Sequence, residues 1–224
     1  MLEPAAFDPS RLDGDYAFYD DGWRCRLSLR QRLDGGFDAR FFSYDRTVGA
    51  FDAAVSVDPE QPHRLRLVVS GFNELDHQIY TGYAFTRGPA GIAGVTDWKG
   101  RSFGFFARHQ PPWSIGPPIP GTVTAADFLG SFNLYCDGEH GTLELSDRDG
   151  ATIRGRLRER GGAVLSVSAT IDADVPHHAT ITVDDASTAP PMLSVWMFVR
   201  PRTALAGWMD RGSVRLGCYL TRFK

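Results

Sequence analysis

Aromatic and hydroxyl-bearing side chains recur along neighbouring segments in the first half of the chain. Spaced two residues apart on a predicted strand, such side chains share one face. If those faces point into a barrel, they form an apolar wall with a few oriented polar groups, which is typical of a small-molecule pocket. The candidate ligand-binding residues are Tyr19, Thr81, Tyr83, Thr96, Trp98 and Phe105. The same composition also suits a plain barrel core, so both interpretations stay open.

Acid–base chemistry is a second hypothesis for these residues. Tyr19, Tyr83 or His109 could act as a general acid or base. The sequence contains no Gly-x-Ser-x-Gly nucleophile elbow, and no cysteine has a histidine at a known catalytic spacing. The enzyme hypothesis is therefore a cofactor-free isomerase or cyclase that shapes a hydrophobic substrate. No residue is assigned a catalytic role.

Metal ligation is not predicted. His177 and His178 are adjacent at the start of a predicted strand, where their side chains point to opposite faces and cannot chelate one ion together. Asp13-Gly-Asp15 resembles the start of a calcium loop, but the later ligands are missing. Asp20 and Asp21 complete this acidic group, which we interpret as solvated turns. We expect no metal and no cofactor.

Alternation of apolar and polar residues predicts the elements that position these side chains. Cys25, Leu27 and Leu29 alternate with polar residues, as on a strand of an antiparallel sheet with one buried face. Eight strands are predicted in the first half, at 15–20, 23–31, 37–45, 50–58, 64–70, 78–86, 91–98 and 103–109. Eight more are predicted at 131–136, 141–147, 151–159, 163–172, 178–184, 192–200, 203–210 and 213–222. The fold class is all-β with little helix.

A long internal repeat divides the chain. Gly14, Tyr19 and Asp21 recur as Gly130, Tyr135 and Asp137 at one offset, and Gly94 and Gly104 recur as Gly207 and Gly217. A repeat of this length is a domain rather than a solenoid unit. Eight antiparallel strands lose their edges by closing into an up-and-down barrel. The prediction is an N-terminal barrel at 1–110, a proline-rich linker at 111–122 and a C-terminal barrel at 123–224.

The segment Thr96-Asp97-Trp98-Lys99-Gly100-Arg-Ser-Phe103-Gly104 resembles the Thr-Thr-Trp-Ser-Gly-x-Tyr-x-Gly run of avidins. Together with the eight-strand pattern it makes each copy similar to the calycins, the class that includes avidins and lipocalins. The resemblance implies an up-and-down barrel with an interior site. The avidin Asn, Ser and Tyr that bind the ureido group have no counterpart in the first three strands, so biotin binding is not implied.

Composition limits the classes of partner. The net charge is −3, so there is no basic excess for nucleic acid, and no apolar run is long enough to span a membrane. The start of the chain lacks the features of a signal peptide, and the three cysteines have no Cys-x-x-Cys spacing. We expect a cytoplasmic protein that binds neither nucleic acid nor membrane.

Comparing the copies gives the leading function. What both copies share is interpreted as turns and packing, whereas Tyr83, Thr96 and Trp98 occur only in the first. We expect the N-terminal barrel to bind a small apolar or aromatic molecule while the C-terminal barrel supports it. A structural or interaction module is the other alternative. Segment 192–200 is apolar on both faces, which predicts a contact between the barrels or a homodimer through the C-terminal barrel.

Overall fold

The computed structural model describes residues 5–45, 49–71, 77–109, 116–159, 161–162, 164–184 and 190–223. These ranges form two closed antiparallel barrels of eight strands each, which confirms the predicted fold class. The first barrel comprises β1 (Gly14–Asp20), β2 (Trp23–Gln31), β3 (Phe37–Ser43), β4 (Ala50–Val57), β5 (Arg64–Ser70), β6 (His77–Ala84), β7 (Gly91–Trp98) and β8 (Arg101–Arg108). The second comprises β9 (Gly130–Cys136), β10 (Glu139–Asp149), β11 (Thr152–Glu159), β12 (Val164–Ile171), β13 (His178–Val183), β14 (Met192–Met197), β15 (Ala204–Arg211) and β16 (Val214–Arg222).

Strand order in the first barrel follows the chain, and β8 returns to pair with β1. A 3₁₀ helix at Pro9–Leu12 packs its buried Leu12 into the core. The Tyr16 hydroxyl donates to the Leu12 carbonyl at 3.0 Å and ties the helix to β1. We call this the closed end of the barrel, and the opposite end, where β1 turns into β2, the distal end.

The second barrel repeats this plan. Its 3₁₀ helix, Ala125–Phe128, buries Phe128 completely in the core. The Arg222 guanidinium on β16 donates to the Leu129 carbonyl at 2.7 Å and holds the helix against the barrel. The distal end of this barrel is where β9 turns into β10.

Aromatic rings join the two barrels, which pack through the outer faces of β6–β8 and β14–β16. Tyr19 stacks on Phe106 at 4.9 Å, and Phe106 stacks on Tyr219 at 4.3 Å. Tyr219 in turn stacks on Tyr135 at 4.7 Å. The repeated tyrosines Tyr19 and Tyr135 therefore end one continuous stack, and the repeat preserves a contact between the copies.

Equivalent aspartates exchange equivalent bonds across the same contact. The Val199 N–H of the second barrel donates to the Asp21 carboxylate at 2.5 Å. The Thr86 N–H of the first barrel donates to the Asp137 carboxylate, also at 2.5 Å. Burial raises the pKa of Asp21 to about 8, with the nearby Asp20 charge acting in the same direction. The pKa of Asp137 is also raised by burial.

Two histidines show how the barrels are oriented. His63, at the closed end of the first barrel, has its Nε2 atom 2.9 Å from the Arg215 carbonyl at the distal end of the second. His177, at the closed end of the second barrel, has its Nε2 atom 2.8 Å from the Ser102 carbonyl at the distal end of the first. The barrels therefore lie side by side with opposite ends together.

Two repeated glycines allow the backbones to approach. A Cβ atom on Gly104 would lie 2.5 Å from the Ala206 carbonyl oxygen, and one on Gly217 would lie 2.5 Å from the Tyr83 carbonyl oxygen. Real Cβ contacts are not that short. Glycine is therefore needed at both positions by the partner barrel, not by a turn.

The doubly apolar segment 192–200 belongs to this contact. Leu193 and Val195 point into the second barrel, whereas Phe198 stacks on Phe106 of the first at 5.7 Å. The contact between barrels, one of the two predicted outcomes, accounts for this apolar face within a single chain.

The predicted linker and domain boundaries stay predictions, because residues 110–115 lie outside the described residues. Within 116–122, the Ile119 N–H donates to the Arg200 carbonyl at 2.6 Å, which attaches this part of the linker to the second barrel. Across the described ranges, no helix has the length and apolarity needed to cross a membrane.

Candidate ligand-binding site

A group of polar side chains lies on the inner face of the first barrel near its distal end. The Tyr80 hydroxyl on β6 donates to the Asp20 carboxylate on β1 at 2.9 Å. The Gln78 amide donates to the same carboxylate at 3.2 Å and contacts the Thr96 hydroxyl on β7 at 3.1 Å. The Thr96 hydroxyl donates to the Ile79 carbonyl at 2.7 Å. We call Asp20, Gln78, Tyr80 and Thr96 the polar set.

The polar set is buried except at one member. Gln78, Tyr80 and Thr96 are at most 4% exposed, whereas Asp20 is partly exposed. The carboxylate is therefore the member of the set that solvent or a ligand can reach. Its bonds to Tyr80 and Gln78 fix its orientation.

Three phenylalanine rings, together with the ring of Tyr80, fill the barrel next to the polar set. Phe18 lies 5.0 Å from Phe41 and 5.1 Å from Phe105, between ring centroids. Tyr80 lies 5.3 Å from Phe18 and 5.2 Å from Phe105, both edge-on. These rings make the middle of the barrel a packed core, so a ligand site in this barrel is confined to the distal end.

One polar atom near the distal end lacks a partner. The Ser43 hydroxyl is buried on the inner face at the end of β3 and has no hydrogen-bond partner among the described residues. Buried hydroxyls in folded proteins are generally hydrogen-bonded. The Ser43 hydroxyl is therefore a candidate hydrogen-bonding group at this end of the barrel.

The six sequence-predicted site residues divide between the two faces of the sheet. Thr96, Trp98 and Phe105 lie on the inner face, as the avidin-like segment implies. Thr81 and Tyr83 were expected on that face, and this assignment is wrong. Ladder pairing sets Thr81 opposite Val95 on the outer face and gives the inner face of β6 to Gln78 and Tyr80.

Burial on both sides of β6 explains the error. Tyr83 is 4% exposed because it packs against the second barrel, 6.4 Å from Trp208 between ring centroids. Tyr19 is likewise in the contact between barrels rather than in the interior. Alternation cannot choose the inner face of a strand that is covered on both sides. Gln78 and Tyr80 of the polar set were missed for this reason. Asp20 was missed because it was interpreted as part of a solvated turn.

His109, the remaining acid–base candidate, lies far from the polar set. Its ring contacts Tyr16 at 4.2 Å at the closed end of the barrel, and burial lowers its pKa. The histidine therefore cannot act with Asp20 on one bound molecule.

The second barrel has different contents at the equivalent positions. Cys136 replaces Asp20, Leu193 replaces Tyr80 and Met209 replaces Thr96, as matching strand registers show. A cavity of about 250 Å³ lies at the distal end of this barrel. Its lining includes Cys136, Met209, Glu159 and Arg211, and the last two form an ion pair.

The described residues contain no cluster of three or more His, Cys, Asp or Glu side chains arranged to hold a metal ion. Methionine sulfur is a further kind of metal ligand. In the second barrel the Cys136 Sγ atom lies 3.7 Å from the Met209 Sδ atom.

No known protein family matches the sequence, and no curated protein matches it. Among solved structures, a protein of unknown function from the DUF3598 family of Nostoc punctiforme is 8% identical, with 94% of each chain covered and a TM-score of 0.33. The Burkholderia oklahomensis agglutinin is 10% identical, with coverage of 93% and 95% and a TM-score of 0.22. The Myxococcus xanthus hemagglutinin, solved with a mannopentaose, is 11% identical, with coverage of 93% and 99% and a TM-score of 0.22. Similarity at this level does not extend to function.

Proposed function

We propose that the chain binds a small molecule, with an aromatic or apolar body and a hydrogen-bonding head, at the distal end of the N-terminal barrel. The observation that carries the proposal is the polar set. Burying polar side chains in a barrel costs free energy even when they are hydrogen-bonded to one another, and an apolar core avoids that cost. The second barrel, with Leu193 and Met209, has such a core.

Asp20 determines the polarity of the ligand. An ionised carboxylate only accepts hydrogen bonds, and that of Asp20 accepts from Tyr80 and Gln78. The head of the ligand is therefore an N–H or O–H donor. The Ser43 hydroxyl provides a second polar contact at the same end of the barrel.

The aromatic surroundings determine the body of the ligand. Trp98 is partly exposed at the end of β7, on the same face as Thr96. The ring pair of Phe18 and Phe105 forms the base of the site. Aromatic side chains favour flat apolar ligands through stacked and edge contacts.

The neutral fluorophore N-phenyl-1-naphthylamine tests the proposal, because it combines an aromatic body with one N–H donor. We expect saturable binding at one site, weakened about tenfold by Asp20→Asn because a hydrogen bond to a charged group is lost. Tyr80→Phe is expected to weaken binding less, because it only releases the carboxylate from its fixed orientation. Binding followed by fluorescence titration gives each affinity.

Tyr16→Phe is the matched control, since its hydroxyl bonds to Leu12 at the closed end of the same barrel. It should bind the probe as the wild type does. Equal affinity in Asp20→Asn and wild type, with both folded by circular dichroism, would contradict the proposal.

The hydrogen-bonded pair of Tyr80 and Asp20 also favours the enzyme alternative, a cofactor-free isomerase or cyclase. A tyrosine beside a carboxylate can transfer a proton to and from a bound substrate. Compounds that copurify with the protein would be added back in pure form and followed by chromatography and mass spectrometry. Conversion to an isomer of equal mass that is lost in Tyr80→Phe would establish catalysis, and unchanged recovery would leave binding alone.

Three further proposals remain from the sequence. A calycin relationship is supported by the two eight-stranded up-and-down barrels. A cytoplasmic location is supported by three free cysteines. The homodimer, and the interaction module it would serve, has lost its main support, because Phe198 of the doubly apolar segment 192–200 packs against the first barrel. Sedimentation over a range of concentrations would test it.

A further inference from the structure

Three sulfur-bearing side chains gather on the inner face of the second barrel at its distal end. Cys136 on β9 lies directly opposite Cys218 on β16. The Asp137 N–H donates to the Gly217 carbonyl, so the neighbouring cysteine pair is a non-hydrogen-bonded pair. At such pairs the Cα atoms approach to about 4.5 Å and the side chains are close. Met209 on β15 completes the group, with its Sδ atom 3.7 Å from the Cys136 Sγ atom.

We propose that the C-terminal barrel binds one Cu(I) ion through Cys136, Cys218 and Met209. Thiolate and thioether sulfurs are soft ligands that select Cu(I). With metal–sulfur bonds of about 2.3 Å and angles between the tetrahedral and the trigonal value, two ligand sulfurs lie about 3.8–4.0 Å apart. The separation of 3.7 Å between Cys136 and Met209 is close to that range.

The cavity gives the ion a route to the sulfurs. Cys136 and Met209 line it, so both are reachable from the distal end. Glu139 and Glu159 line the same cavity against the single guanidinium of Arg211, which gives its mouth an excess of negative charge. Arg211 donates to the Met209 sulfur at 3.2 Å, and the Cys136 S–H donates to the same sulfur. Loss of the Cys136 proton on binding frees that second lone pair for the metal.

Cu(I) fits these ligands better than Zn(II). Structural zinc sites are closed by four cysteine or histidine ligands. The nearest histidine in the cavity lining, His140, is turned toward Tyr135 at 5.0 Å and Asn133 at 3.4 Å. Three sulfur ligands without a nitrogen ligand suit a low-coordinate soft ion.

Proton release accompanies binding. Burial raises the pKa of the Cys136 thiol to about 12 and that of Cys218 well above its usual value, so both are protonated in the free protein. Binding as a bis-thiolate converts two thiols and one Cu(I) into the complex and releases two protons to solvent. No electron is transferred, and affinity therefore rises with pH.

The test is an anaerobic titration of the reduced, full-length protein against Cu(I) held by a chromophoric chelator. We expect the protein to remove one equivalent of Cu(I). Cys136→Ser and Cys218→Ser are each expected to lower the affinity at least tenfold, and Met209→Leu to lower it less, because a neutral ligand is lost.

Cys25→Ser is the matched control, since Cys25 is a buried inner-face cysteine of the first barrel. It should bind Cu(I) as the wild type does. X-ray absorption of the copper-loaded wild type adds a measurement that does not depend on any variant, with a sulfur-only shell expected. A chelator that keeps all its copper, a nitrogen or oxygen shell, or an equal loss in Cys25→Ser would overturn the proposal.

Discussion

The two barrels share their outer faces and differ in their interiors. Across the contact, Asp21 and Asp137 make equivalent bonds, and so do His63 and His177. Inside the barrels, Asp20, Tyr80 and Thr96 of the first are replaced by apolar or sulfur-bearing residues in the second. The repeated residues are therefore those that form the contact between the two barrels, whereas the residues inside the barrels differ between the copies.

Ring size explains the difference in cavity volume. Phe18 and Phe41 fill the middle of the first barrel, and leucines Leu134 and Leu157 take their places in the second. The same backbone therefore encloses a packed aromatic core in one copy and a cavity of about 250 Å³ in the other. The polar set lies in the N-terminal barrel, whereas this cavity lies in the C-terminal barrel.

The largest expected loss of stability comes from disrupting the contact between the two barrels. Phe106→Ala removes the central ring of the stack and is expected to cost about 3–5 kcal/mol, as for other buried aromatic truncations. Because this ring belongs to both barrels, we expect calorimetry to show two separate unfolding transitions. Phe105→Ala, on the inner face of the same strand, should lower stability by a similar amount without separating the barrels. One undivided transition in Phe106→Ala would contradict this role.

A smaller loss is expected at the repeated glycines. Gly104→Ala and Gly217→Ala place a Cβ atom against a backbone carbonyl of the other barrel and should each cost roughly 1–3 kcal/mol. Chemical denaturation measures both values, and similar losses are expected because the contacts are equivalent. Gly49→Ala, which meets no atom within 4 Å, is the control. If Gly104→Ala were as stable as Gly49→Ala, the close approach of the backbones would be in doubt.

The last comparison concerns the pH dependence of stability. The pKa of Asp21 is about 8 in the folded protein and near 3.8 in the unfolded chain. Its contribution to stability is therefore complete below about pH 4 and falls as the pH rises toward 8, because only the unfolded state has ionised there. Asp21→Asn cannot ionise, and its amide oxygen can still accept from Val199.

Thermal unfolding across this range measures the effect. The variant should match the wild type near pH 4 and be more stable than the wild type near pH 8. Asp34→Asn is the control, because the pKa of Asp34 is lowered and its ionisation affects stability only below about pH 4. A steeper loss in Asp21→Asn than in the wild type would reverse the sign and refute the assignment.

Sequence alone predicted the barrels because most strands have one wet face. On β2, arginines alternate with Cys25 and Leu27, and the inner face follows directly. On β6 both faces mix apolar and polar residues and each carries a tyrosine, so Tyr83 was taken for an interior residue and Tyr80 was overlooked. The details of the contact between the barrels could not be predicted, because that contact brings together residues that are far apart in the chain. The sequence identified Tyr19, Asp21 and Gly104 only as repeated residues.

The opposed orientation of the barrels determines from which side of the molecule each proposed site is entered. The distal end of each barrel lies beside the closed end of the other, so the two mouths open at opposite poles of the molecule. If both proposed sites bind, a ligand released from one barrel would leave the molecule at the pole opposite the mouth of the other. On the two proposals made above, the N-terminal and C-terminal barrels would be loaded independently, each from its own pole.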